Sequence, residues 1–218
     1  MPRTRLLVRD LQRLLDRVEG NGLAGVTIRM VAGLGSLAIS HCEPRDPPAE
    51  PDYLETLLAE RDLLRQALMR GARLKAVLNP PRRFAQAMMP ERLRARYERL
   101  IGLLEGRSDI ADDPTAAAED VAAMKQCEFA LSPVPSPNLF MIGETVAYEG
   151  MKRAGGAGYE MTHCEKNPET LRELAQQFDR LFEDSRRDMA RIHPPDGQLL
   201  EQLKAGFREA NQPSELAP

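Results

Sequence analysis

The residues with the widest chemical reach are scarce in this chain. It holds three histidines and three cysteines in 218 residues, so most nucleophilic or acid–base chemistry would pass through a handful of positions. Two His-Cys pairs occur, His41-Cys42 and His163-Cys164. Imidazole and thiolate are good zinc ligands, and two strand ends can offer them to a shared ion. Adjacent strand residues point to opposite faces, however, so each pair supplies one ligand to a common site. Two ligands do not close a tetrahedral site unless Glu43 or Glu165 joins, and the standard metal spacings are absent. Ordinary strand-end residues are therefore the favoured reading, and no metal or cofactor is expected. Cys127 stands alone and reads as a core or edge thiol. No Ser/His/Asp spacing and no HExxH motif is present. The run Gly155-Gly156-Ala157-Gly158 lacks the strand–loop–helix context of a nucleotide loop and reads as a connection over a sheet edge.

Charge narrows the classes further. Thirty Lys and Arg face 33 Asp and Glu, a formal net charge of −3, so no global basic field draws nucleic acid. Local basic ridges exist. Arg5, Arg9, Arg13 and Arg17 recur every fourth residue, and Arg92, Arg96 and Arg99 flank a later apolar stripe. Either set suits phosphates or an acidic partner. Asp10, Asp16 and Glu19 interrupt the first, and a solvated helix face with i,i+4 pairs is the commoner meaning of both. Strand-like sequence follows the first helix at once, leaving no room for a helix-turn-helix. Scattered cysteines form no disulfide framework, which fits a reducing, cytoplasmic compartment. The start, MPRTRLLVRD, has no apolar core of a signal peptide, and no apolar run approaches the ~18 residues of a membrane span.

The elements that must position these residues follow from periodicity. Leu7, Leu11, Leu14, Leu15 and Val18 make one stripe of a helix over 4–19, closed by Gly20-Asn21-Gly22. Residues 26–31 and 37–40 read as two short strands around a glycine turn. Residues 43–51, with four prolines, read as a surface linker. A helix over 52–69 turns Leu54, Leu57, Leu58, Leu64, Ala67 and Leu68 inward and stops at Gly71. A buried strand over 74–78 and a helix within 82–105, broken or restarted at Pro90, come next. Asp113-Pro114 opens an alanine-rich helix to about Gln126. Strands are expected at 128–131, 139–142, 146–149 and 159–163, with a turn at Gly143-Glu144-Thr145. Asn167-Pro168 starts a helix to about Ala190, and a short helix is expected around Leu199–Phe207. Strands interleaved with helices predict an α/β fold, a mixed sheet flanked by helices, with an extra N-terminal amphipathic helix. The organisation expected is a single α/β domain over 1–192, with the N-terminal helix in 1–20, and a partly helical or disordered tail over 193–218.

The segment order carries a resemblance. The helix ending Leu-Met-Arg-Gly-Ala, the strand LKAVLNPP, a helix, a strand and the hairpin NLFMIGETVAYEG together resemble one half of the phospholipase D-like superfamily. The glycine-rich loop, the strand with Glu160 and the helix NPETLRELAQQFDRLFED extend the resemblance over residues 50–185. Active members carry His-x-Lys-x4-Asp on this hairpin, with His as nucleophile, Lys on the phosphate and Asp in support. Alignment on the hairpin puts Ser136 at the His position, Asn138 at the Lys and Gly143 at the Asp. The family's Gly-Ser-x-Asn is Gly150-Met151-Lys152-Arg153 here, and Glu160 sits where an acidic residue is common on the next strand.

Phosphoryl transfer needs an activated nucleophile and fixed positive charge on the non-bridging oxygens. Ser136 has no adjacent base, and Asn138 is neutral. Pro133, Pro135 and Pro137 also remove backbone donors from the approach. The resemblance therefore implies a catalytically inactive module, similar to the sensor domain of TrmB-type sugar-responsive regulators. Its role would be ligand sensing or protein partner binding. Ser136, Asn138, Lys152 and Glu160 would line a residual cleft suited to the hydroxyls of a small polar ligand. A homo-oligomer or protein partner is expected, with no membrane span and no nucleic acid. The alternative is a phosphodiester hydrolase or transferase, of phospholipase or nuclease type, acting as a homodimer with a variant site.

Overall fold

The computed structural model describes residues 3–18, 22–32, 36–40, 53–78, 91–107, 114–132, 138–152, 159–192 and 197–211. The helices are α1 (Arg3–Asp16), α2 (Tyr53–Met69), α3 (Glu91–Leu104), α4 (Pro114–Met124), α5 (Pro168–Ile192) and α6 (Gln198–Asn211). The strands are β1 (Thr27–Ala32), β2 (Arg73–Leu78), β3 (Cys127–Leu131), β4 (Asn138–Ile142), β5 (Val146–Lys152) and β6 (Tyr159–Glu165). They form one six-stranded mixed sheet in the order β3-β2-β1-β4-β5-β6. The first three strands are parallel, β4 runs against β1, and β4, β5 and β6 continue as an antiparallel meander. The expected α/β class, a mixed sheet flanked by helices, is the class found.

One expected strand is corrected. Residues 37–40 do not pair in the sheet; Ser36–Ala38 form a buried 3-10 helix. β1 instead finds its partners at long range, in β2 on one side and β4 on the other. An apolar run of four residues fits a buried helical turn as well as a strand, and periodicity cannot separate the two. In the helix expected within 82–105, residues 91–104 are helical as α3, while the break at Pro90 lies outside the described residues.

The alternation of the strands divides the core between the two faces. Ile28, Met30, Leu74, Ala76, Phe140, Ile142, Val146 and Tyr148 point to the first face. There they meet Leu7, Leu11 and Leu15 of α1, Leu64 and Leu68 of α2, Tyr97 and Leu100 of α3, and Leu203 of α6. Val31, Val77, Ala130, Leu139, Met141 and Ala147 point to the second face, where α5 lays down Leu171, Ala175, Phe178 and Phe182. Both connections between the parallel strands, α2 and the α3–α4 pair, pack on the first face. That placement is how crossovers of one hand build a parallel ladder stepwise.

Local chemistry ends the elements where turns are needed. Gly71 after α2 has φ +96°, a left-handed conformation that costs glycine little. Asn167 caps α5: its Oδ1 accepts from the Glu169 amide at 2.9 Å and the Thr170 amide at 3.4 Å.

Candidate functional site

The carboxyl ends of β1, β2 and β3, the start of β4, the end of β5 and the start of β6 share one edge of the sheet. This is the edge at which open α/β sheets receive ligands. Of the four residues singled out by sequence, Asn138, Lys152 and Glu160 fall on strands that end at this edge. Asn138 opens β4 and stands opposite Gly150 of β5. Lys152 closes β5 opposite Tyr159, the first residue of β6. The ladder slips there: Met151 faces Met161 and Lys152 faces Tyr159, so Glu160 is the extra residue of a bulge. Ser136 lies outside the described residues, as do Pro133, Pro135, Pro137 and the glycine-rich run 155–158.

Asn138 is 5% exposed, on the same face as Phe140 and Ile142, and is engaged within the fold. Gly150 opposite it brings no side chain, which leaves room for the amide on that face. Gly143 falls in the hairpin turn with φ +54°, and the Thr145 hydroxyl donates to the Ile142 carbonyl at 2.7 Å. The hairpin position aligned with an acid is thus met by a left-handed turn glycine. Two further buried hydroxyls flank this edge. Ser132 follows β3, its amide bonded to the Leu78 carbonyl at 2.9 Å. Ser36, in the 3-10 helix after β1, is 2% exposed, and its Oγ has no hydrogen-bond partner among the described residues.

Behind the 3-10 helix lies a network of charges that sequence reading did not find. The Arg61 guanidinium, itself buried, donates to the Ile39 carbonyl at 2.9 Å and pairs with Asp62 at 3.1 Å. Arg65 reaches Glu119 at 3.3 Å and Asp120 at 3.6 Å. Arg99 meets Asp120 at 2.6 Å, with both side chains over nine-tenths buried. Arg99 thus departs from the solvated helix face expected of it. It has turned into the seam between α3 and α4, where the Asp120 carboxylate replaces water. A signal for part of this was present: Glu60 and Arg61 occupy the i+3 and i+4 slots after Leu57, in register with Leu64. The network pins α2, α3, α4 and the 3-10 helix to one another.

The remaining sequence candidates separate. His163 is 62% exposed, with Nε2 3.7 Å from Glu165, and Cys164 is exposed on the opposite side of the same strand. His41 and Cys42 lie outside the described residues, and among the described residues no three His, Cys, Asp or Glu converge on an ion position. Burial pushes the Cys127 thiol up to about 12, so it is neutral at physiological pH. Glu165 is held below the usual carboxylate range, first by the Asn167 amide and then by the Lys166 amide.

Two arginines of the α1 ridge, Arg9 and Arg13, converge on one acid. Arg9 Nε lies 2.9 Å and Arg13 3.3 Å from Asp10, while the buried Tyr148 hydroxyl donates to the same carboxylate. Burial works to raise the Asp10 carboxyl, but hydrogen bonds from Arg9 and Tyr148 outweigh it and leave it lowered. Burial and then Asp10 push the Tyr148 hydroxyl up, keeping it a donor. No helix among the described residues is long and apolar enough to cross a membrane. No family model, curated protein or solved structure matches this chain.

Proposed function

We propose that this protein is a catalytically silent, phospholipase D-like binding module that takes a small hydroxylated ligand, or a partner, at the β4–β5–β6 end of the sheet. The observation that carries the reading is Asn138. At the hairpin position where phosphoryl transfer would use a lysine, the chain has a neutral amide that is 5% exposed and opposite Gly150. An amide engaged within the fold supplies no countercharge for a phosphodiester, and a neutral, polar position suits the neighbourhood of a hydroxylated ligand better than that of a phosphate. Gly143 in the hairpin turn, where an acid would support a catalytic histidine, argues the same way. Lys152 and Glu160, at the end of β5 and the start of β6, would supply the polar rim, and Ser136 the approach to β4.

The test is a thermal-shift screen of the purified chain against sugars, polyols and nucleotides, run beside a generic phosphodiester substrate. A saturable shift with a polyol or sugar, reduced in Asn138→Ala and Glu160→Gln, is expected. The absence of any shift across the panel removes the ligand-sensing version. Turnover of the phosphodiester that vanishes in Ser136→Ala replaces the whole reading with the alternative, a homodimeric hydrolase or transferase with a serine in the nucleophile's place.

A further inference from the structure

A groove of about 460 Å³ lies between α3 and α6, within the size range of small-molecule sites. It shares no residue with the β4–β5–β6 edge, so its assignment stands or falls separately. Its floor is apolar. Ile101 and Phe207 are half-buried in it, and the Phe207 ring is set against Tyr97 with centroids 6.4 Å apart and a 44° tilt. The ring is therefore held in place before any ligand arrives, which lowers the ordering cost of binding on it.

The walls are charged in a particular way. Lys204 and Arg107, which both line the groove, are already committed: Lys204 Nζ is 2.6 Å from Glu105 and 3.4 Å from Glu201, and the Arg107 guanidinium lies 4.0 Å from Glu105. Arg208 is different. Its Nε donates to the Lys204 carbonyl at 3.3 Å, which orients the guanidinium, and it has no carboxylate partner among the described residues. Across the groove, Glu98 of α3 lines the other wall, and among the described residues no cation pairs with it. An uncommitted acid and an uncommitted base thus face an apolar floor without meeting each other. A simple anion would have to approach Glu98 and Glu201, and a simple cation would have to approach Arg208. A ligand carrying both charges at one end and an apolar body at the other answers both uncommitted groups and the apolar floor.

We propose that this groove binds a small zwitterion of the class of aromatic and large aliphatic α-amino acids. The carboxylate meets Arg208, the ammonium meets Glu98, and the side chain lies on Ile101 and Phe207. Glu98 and Arg208 are both exposed, so each ionic contact to the ligand is expected to change affinity by roughly two- to fivefold, which is separately measurable for each charge.

Calorimetric titration of the full chain with L-phenylalanine, L-leucine, 3-phenylpropionate and phenethylamine tests this. Saturable binding of L-phenylalanine is expected, with each single-charge analogue weaker by roughly two- to fivefold. Arg208→Gln and Glu98→Gln are each expected to weaken L-phenylalanine to a similar degree while leaving the melting curve unchanged, since both side chains are exposed. Phe207→Leu should favour L-leucine over L-phenylalanine relative to the parent chain. No saturable binding of either amino acid up to its solubility limit overturns the proposal. So does equal binding of 3-phenylpropionate and L-phenylalanine, or undiminished binding in the Arg208→Gln, Glu98→Gln double variant.

Discussion

The two faces of the sheet solve the same burial problem with different materials. The first face is covered by α1, α2, α3, α4 and α6, and its coverings hold charges deep inside, as in the Arg99–Asp120 pair at 6% and 3% side-chain exposure. The second face is covered by α5, and its charges sit at the margin. Arg29 meets Asp179 at 2.8 Å with exposures of 13% and 38%, and Lys75 lies 3.8 Å from the same carboxylate. Lys75 also stands over the Phe182 ring at 5.2 Å, and Arg186 over it at 5.8 Å. Solvent reaches the second set and screens it, whereas the first set has exchanged water for its partners. Several helices meeting on one face need directional contacts to fix their mutual placement; a single long helix is positioned by its apolar stripe.

The largest contrast should come from removing one acid from each face. Asp120→Ala leaves the Arg99 guanidinium in a dry seam and is expected to cost about 3–5 kcal/mol in denaturant unfolding. An Asp120→Ala loss below about 1 kcal/mol would show that water enters this seam and that the two faces do not differ as described. Next in size is the tie between α1 and β5. Tyr148→Phe keeps the ring in the core but removes a hydrogen bond to a charged acceptor, an expected loss of about 1.5–3 kcal/mol.

The same tie carries a pH dependence whose sign is fixed. The folded carboxyl of Asp10 is lowered, so its contribution is complete above the unfolded value near 3.8 and is lost as pH falls through the folded value. The gap in unfolding midpoint between the parent chain and Asp10→Asn should therefore be widest near neutral pH and close in acid. A gap that widened in acid would contradict the Arg9 and Tyr148 contacts. Smallest of all, Asp179→Ala on the second face is expected to cost no more than about 1 kcal/mol. That cost should shrink in high salt, because the carboxylate is well exposed. A salt-independent loss would mean that α5 seals its charges as tightly as the helices opposite.

Much of the fold was legible before any coordinates. The stripe of Leu7, Leu11 and Leu15 predicts α1, and all three are buried. Asn167-Pro168 predicts the start of α5, and the Asn167 side chain makes the capping bonds. The Gly143-Glu144-Thr145 turn predicts the hairpin that β4 and β5 form. These features are local, because period, caps and turn glycines act within a few residues. The segment Leu37–Ser40 misled because its apolar composition says that it is buried without saying how. Arg99 misled for a related reason: a charge beside an apolar stripe reads as solvated unless the opposing Asp120, 21 residues away, is already in view.

The candidate site divides along the same line. The neutral residue at position 138 and the glycine at 143 are facts of sequence, and on the proposed phospholipase D-like reading they stand where phosphoryl transfer would need charge. The pairing of Asn138 with Gly150, the register shift at Glu160 and the burial of the Ser36 hydroxyl are facts of tertiary structure. So is the groove that Glu98 and Arg208, more than 100 residues apart, line together with Phe207. Sequence alone determined most of the elements and the residue types on the hairpin, because both depend on side-chain identity and short-range geometry. Only the fold decided which distant charges were buried with partners and which were left uncommitted, because desolvation depends on neighbours that the chain brings together by folding.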